Sequence, residues 1–128
     1  MNTMLGITRR PDITFHRDGR IDITSHVAVL LGLKHGDVID IAYDGVEYYL
    51  YKRYDSSSLV GRHEAQVRAT NHGKHYCHNL RAQSVRMCRQ ILQMHDGADV
   101  VRLPVGELET RSGMGKVLPI IVRNNLQR

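Results

Sequence analysis

Between residues 61 and 95, Arg62, Arg68, Lys74, Arg81, Arg86 and Arg89 stand against a single acid, Glu64. Cationic side chains at this density attract polyanions, and nucleic acid is the commonest polyanion in the cytoplasm. His63, His72, His75, His78 and His95 share the stretch and would add charge below neutral pH. The excess is local. Residues 1–60 hold 7 Lys/Arg and 8 Asp/Glu, residues 61–128 hold 11 and 5, and the 128-residue chain carries +5. A solvated basic face with no partner is the competing reading of the same charges.

Other chemistries are weaker. His72-x-x-His75-x-Cys77-His78 gathers ligands that zinc accepts. On a strand, however, His75 and Cys77 would face one way and His78 the other, and no second Cys/His pair completes a site. No metal is expected there. Cys77 and Cys88 are too few for a disulfide framework and read as a strand residue and a core helix residue. Gly113-x-Gly115-Lys116 lacks the spacing of a phosphate loop and reads as a hairpin turn. The acids are scattered, with no pair set for acid–base work, so neither an enzyme nor a cofactor is expected. Tyr43, Tyr48, Tyr49, Tyr51 and Tyr54 crowd one segment. Such rows can stack on unpaired bases, but on two-faced strands packing is the expected role.

These groups need elements to hold them. Ile13–His16 reads as a strand, Arg17-Asp18-Gly19 as a turn, and Arg20–Thr24 as a half-buried strand with Ile21 and Ile23 on one face. Thr24 or Ser25 is placed to cap a short helix carrying Val27, Leu30 and Leu31, which Gly32 ends. Val38–Tyr43 and Val46–Arg53 form a hairpin through the two-residue turn Asp44-Gly45. Asp55–Ser58 reads as linker. Gln66–Thr70 and His75–Leu80 are expected to pair through Asn71–Lys74. Gln83–Met94 has helical spacing, with Val85, Cys88, Ile91 and Leu92 on the buried side and Arg86 and Arg89 towards the other. Strands follow at Asp99–Val105 and Val117–Val122, where Pro104 and Pro119 signal an edge or bulge.

The second half echoes the first. LLGLKHGDVIDI compares with ILQMHDGADVVRL, with Leu30-Leu31 on Ile91-Leu92 and Gly36 on Gly97. The pattern suggests two tandem pseudo-repeats around a pseudo-two-fold axis. The expected organisation is an N-terminal arm (1–12), a first repeat (13–54), a linker (55–61) and a second, more basic repeat (62–128).

Gly19-Arg20, the alternating Ile21–Ile23, the short helix, Gly32-Leu33, Gly36-Asp37 and the hairpin to Arg53 together resemble the AbrB/MazE/MraZ swapped-hairpin family. These are small bacterial DNA-binding regulators. The resemblance covers 19–53 closely and much of 62–128 loosely. It implies a mainly β fold with short helices, a swapped-hairpin β-barrel in which two such units interlock. Another small β-barrel of two similar halves, such as a double-psi type, is the runner-up. It further implies double-stranded DNA as partner and Arg20 as a contact, with Arg17 beside it. Thr24 stands where the family often has Pro, and Ala28 where it often has Arg. Asp18 and Asp22 flank Arg20 and would repel phosphate. The expected contact surface therefore extends to Lys74, Arg81, Arg86 and Arg89 in the second half.

The expected function is DNA binding as a transcription regulator or antitoxin-like repressor, in a homo-oligomer. The alternative is a protein-interaction or assembly module that keeps the barrel. No apolar run is long enough to span a membrane and residues 1–10 carry no leader-like segment, so a cytoplasmic protein is expected.

Overall fold

Ile13, Phe15, Ile21 and Ile23 alternate with polar residues, and all four are buried on one side of a β-hairpin. The computed structural model describes residues 12–53, 64–70 and 79–122. The expected N-terminal arm up to residue 11, the linker, and the His/Cys cluster at 72–78 lie outside the described residues.

The hairpin consists of β1 (Ile13–His16) and β2 (Arg20–Ile23). Its turn ends at Gly19, with φ +99°. A Cβ there would meet the Gln83 amide nitrogen at 2.6 Å and a Val85 methyl at 2.8 Å. Gly19 thus fits both a dihedral that side chains rarely adopt and a close approach between the halves. Gly19→Ala should destabilise the chain by about 1–3 kcal/mol, read as a lower urea midpoint with an unchanged slope.

Helix α1 spans Ser25–Leu31 and ends at Gly32, whose left-handed conformation (φ 67°) closes it. Thr24 occupies the N-cap, but its side chain makes no capping bond. Asn79, from the second half, accepts from the Ser25 amide at 2.8 Å instead. Next come β3 (Ile39–Tyr43) and β4 (Tyr48–Lys52). Their loop is four residues long, Asp44–Glu47, not the expected two-residue turn. The Asp44 carboxylate accepts from the amides of both Val46 and Glu47, which stabilises the longer loop and holds its pKa below the ordinary value.

In the second half, β5 (Arg68–Ala69) pairs with β6 (Leu80–Gln83). Leu80 therefore begins a strand that was expected to end there, and Arg81–Gln83 are extended up to Ser84. Helix α2 is Val85–Gln93, capped by the Ser84 hydroxyl, which accepts from the Met87 amide. Cys88, Ile91 and Leu92 are buried as expected, but Val85 is 44 % exposed because it begins the first turn, at the helix end. The chain closes with β7 (Val100–Leu103), β8 (Glu109–Arg111) and β9 (Gly115–Ile120).

The described residues are mainly β, with two short helices and two antiparallel sheets. One sheet has the order β5-β6-β2-β1-β7 and the other β3-β4-β9-β8. Isolated bridges join them, Val38 to Gln66 and Val105 to Ile120. At the second bridge the Gly106 amide donates to Pro119 and the Ile121 amide to Pro104. Pro119 and Pro104 have no N–H to return these bonds, so pairing stops at a bridge rather than extending into a ladder. Pro119 itself lies between β4 and residues 104–106, not on a free edge.

Each half begins strand, strand, helix, strand; the first ends on one further strand and the second on two, and the halves exchange neighbours. β2 pairs with its counterpart β6, and β4 pairs with β9. The β1–β7 pairing is matched by hydrogen bonds between 36–39 and 65–67. One hydrophobic core results, with Phe15, Val27 and Leu50 from the first half and Val67, Ile91 and Leu118 from the second. No helix among the described residues is long and apolar enough to cross a membrane.

Candidate nucleic-acid interface

Period-two alternation turns one face of the five-stranded sheet into the core and the other to solvent. The register lines up a row across that outer face: Arg68 on β5, Arg81 on β6, Asp22 on β2, Thr14 on β1 and Arg102 on β7. Arg20 and His16 stand one step along the strands from Asp22 and Thr14, on the same face. The row spans four inter-strand gaps, roughly 19 Å at the usual spacing.

Asp22 organises the centre. Its carboxylate accepts from Arg81 Nε at 2.8 Å and lies 3.3 Å from Arg20 Nε. The Arg20 nitrogen is not aimed at it, so that contact is one of charge alone. His16 Nε2 lies 2.9 Å from the Asp22 carboxylate and 3.2 Å from Arg20 Nη2, so its tautomer decides which of the two it bonds. The acid that was expected to repel phosphate is thus neutralised by cations of both halves. Partial burial pushes Asp22 up, but the bonds from Arg81 and His16 and the charges of Arg81 and Arg20 outweigh it. The carboxyl therefore titrates below its ordinary value of 3.8. A carboxyl that ionises more readily when folded stabilises the fold where it is ionised. That contribution is whole above 3.8 and is lost as pH falls through the lowered folded value. From about pH 4 to about pH 2, the urea midpoint of the native chain should therefore fall more steeply than that of Asp22→Asn.

The remaining expected contacts are spread out. Arg17, at the β1–β2 turn, is exposed and donates to Asp99 at 2.7 Å. Arg86 holds Glu64 through two bonds, 3.0 and 2.8 Å, and the acid's hydrogen bond and charge raise the arginine's pKa. Glu64 also accepts from Ser84, the α2 cap, so it ties the helix start to the chain before β5. Arg89 is exposed on α2 and has no hydrogen bond or ion pair among the described residues. Lys74 lies outside the described residues. A groove of about 760 Å³ between β5, β6 and the first turn of α2 is lined by Arg68, Arg81 and Arg86 and connects the sheet face to the helix.

The structure thus brings Arg20 and Arg81 together on one face and places Arg86 at the adjoining groove. Arg17 stands at the sheet's end and Arg89 on the helix. Arg102 was missed because its excess charge is hidden in a balanced segment, and Arg68 was counted only as part of the basic stretch. Their alternation with buried Val67, Val101 and Leu103 was the available signal.

Among the described tyrosines, Tyr49 serves in packing. Tyr49 is buried, donates to Glu47 at 3.0 Å and has Arg111 4.3 Å above its ring. Burial foremost, with the Glu47 bond, pushes its hydroxyl up to about 12. Cys88 lies in the core under β2, where burial pushes the thiol up to about 11, so it stays unreactive near neutral pH. Among the described residues no group of His, Cys, Asp and Glu could hold a metal ion. No family model, no curated protein and no solved structure matches the chain.

Proposed function

We propose that the chain is a DNA-binding protein, a transcription regulator or antitoxin-like repressor, that contacts duplex DNA through the outer face of its five-stranded sheet. The observation that carries this reading is the arginine set on that face: Arg68, Arg81, Arg20 and Arg102, across all but one of the strand positions. Guanidinium forks bind phosphates bidentately and can read guanine edges. The row, roughly 19 Å across, is wider than the major groove of about 12 Å, so its arginines would meet the phosphates that flank the groove. The swapped-hairpin barrel belongs to the same proposal. The exchange of strands between halves and the Val38–Gln66 and Val105–Ile120 bridges support it.

Fluorescence anisotropy of a labelled mixed-sequence duplex, titrated at low and near-physiological salt, tests the reading. Binding that weakens steeply with salt is expected. Absence of binding at low salt would sink it.

One observation favours a second reading, a protein-interaction module. Tyr43 and Tyr48 stack at 4.4 Å at the end of the β3–β4 hairpin, where Tyr43 is 56 % and Val46 82 % exposed. Partner binding through this apolar tip would be nearly independent of salt, which separates it from the first reading.

A further inference from the structure

We propose that His16 is a proton-operated latch on Arg20, so that acidification frees this arginine and tightens the sheet face on duplex DNA. The inference rests on the DNA-binding reading above and adds the regulation of the same site.

The register that sets Phe15 against Ile21 puts His16 against Arg20 on the outer face. Among the described residues the Arg20 side chain has one hydrogen bond, from Nη2 to His16 Nε2 at 3.2 Å. Its Nε is buried and makes none. A guanidinium only donates, so that bond exists only while Nε2 carries no proton. The same Nε2 lies 2.9 Å from Asp22 Oδ2, the oxygen that also has Arg20 Nε 3.3 Å away. Arg81 holds the other oxygen, Oδ1, at 2.8 Å. Protonated, His16 is a donor at both ring nitrogens, and Nε2 makes a charge-assisted bond to Oδ2. Arg20 then loses its acceptor, meets a cation in its place and competes with it for Oδ2. The Arg20 side chain is already 40 % exposed, so the guanidinium can turn to solvent or to a phosphate.

The surroundings leave this exchange to three groups. Val100 stands opposite His16 on β7, with Arg102 two residues further along, and Gln83 lies beyond Arg20 on β6. Arg17 pairs with Asp99 at the end of the strands, and Asp18 accepts from the Arg20 amide. From α2, on the inner face, the Cys88 thiol donates to the Arg20 carbonyl. Histidine is the side chain whose ordinary change of charge falls between about pH 5 and 8. One proton on His16 takes the face of Arg20, Arg68, Arg81 and Arg102 against Asp22 from +3 to +4 and releases a second contact.

The test is an anisotropy titration of a labelled mixed-sequence duplex at about pH 7.5 and about pH 5.5. On acidification the native chain should gain roughly tenfold more affinity than His16→Gln, and its slope against salt should steepen by up to about 1.8, two contacts' worth. Gln accepts from Arg20 and donates to Asp22 at every pH, so it keeps the latch closed, and the variant retains the other histidines as a background. Arg20→Ala should abolish the same gain. An equal gain in the native chain and His16→Gln overturns the latch while leaving DNA binding intact. Nitrogen-15 NMR of the free chain reads the latch without DNA: neutral His16 should carry its proton on Nδ1, and the Arg20 guanidinium signals should shift with the imidazole's midpoint. A neutral His16 protonated on Nε2, or Arg20 signals indifferent to the titration, overturns it as well. Failure to retain any duplex at low salt, at either pH, overturns the DNA-binding reading itself, and the spectra then decide the latch alone.

Discussion

Replacing Arg68, Arg81 and Arg102 together by Ala should weaken binding to duplex DNA roughly 100-fold at about 0.15 M salt. Each phosphate neutralised adds about 0.9 to the slope of log affinity against log salt, so loss of the Arg68 and Arg102 contacts lowers that slope by about 1.8, and Arg81, shared with Asp22, adds less than one further contact. These residues suit the test because their side chains leave the outer face of the sheet, away from the core. Arg68 and Arg102 make no ion pair among the described residues. Arg81 does pair with Asp22, but His16 and Arg20 remain to hold that carboxylate. Circular dichroism and the urea midpoint should show a folded chain. Arg86→Gln is the contrast. Its charge is already committed to Glu64, so its slope should change by less than one contact's worth. If the triple variant keeps the parent's affinity and slope, the sheet face is not the contact surface.

The second large effect is on stability. Phe15→Ala should cost about 3–5 kcal/mol, a large share of the 5–15 kcal/mol that holds a small domain folded. Phe15 is the largest of the fully buried side chains among the described residues, sits within β1, and lies between Ile21 on β2 and Val101 on β7. Its removal leaves a cavity where strands from both halves meet. Because β2–β6 and β4–β9 knit the halves together, unfolding should remain a single transition with one midpoint by fluorescence and by circular dichroism. Two separated transitions would show that the halves are independent units, contrary to the shared core.

Much of the local structure was legible in the residues. The alternation at Ile13–Ile23, the turn at Gly19, the helix ended by Gly32 and the burial of Cys88, Ile91 and Leu92 all follow from short-range rules. The misread boundaries share a cause. Leu80–Gln83 has little sequence signature of a strand, and it is extended because β2 is there to pair with it, 60 residues away. Thr24 has the composition of a cap, yet Asn79 makes the bond, because the folded chain brings it to the Ser25 amide. Asp44-Gly45 signals a tight turn, but the Asp44 carboxylate can hold two further amides, and the longer loop forms.

The candidate site divides in the same way. Sequence alone determined that the chain has a basic second half, that arginines alternate with apolar residues along its strands, and that the glycines must turn it back into hairpins. Those properties depend on side-chain type and on neighbours a few positions away. Only the tertiary structure decided which cations share a face. Arg20 and Arg81 became neighbours, Arg102 joined them from a segment with no net excess, and Arg86 was drawn to Glu64. Strand register sets these distances, and register is settled by burying one continuous core from both halves, a condition no local window contains.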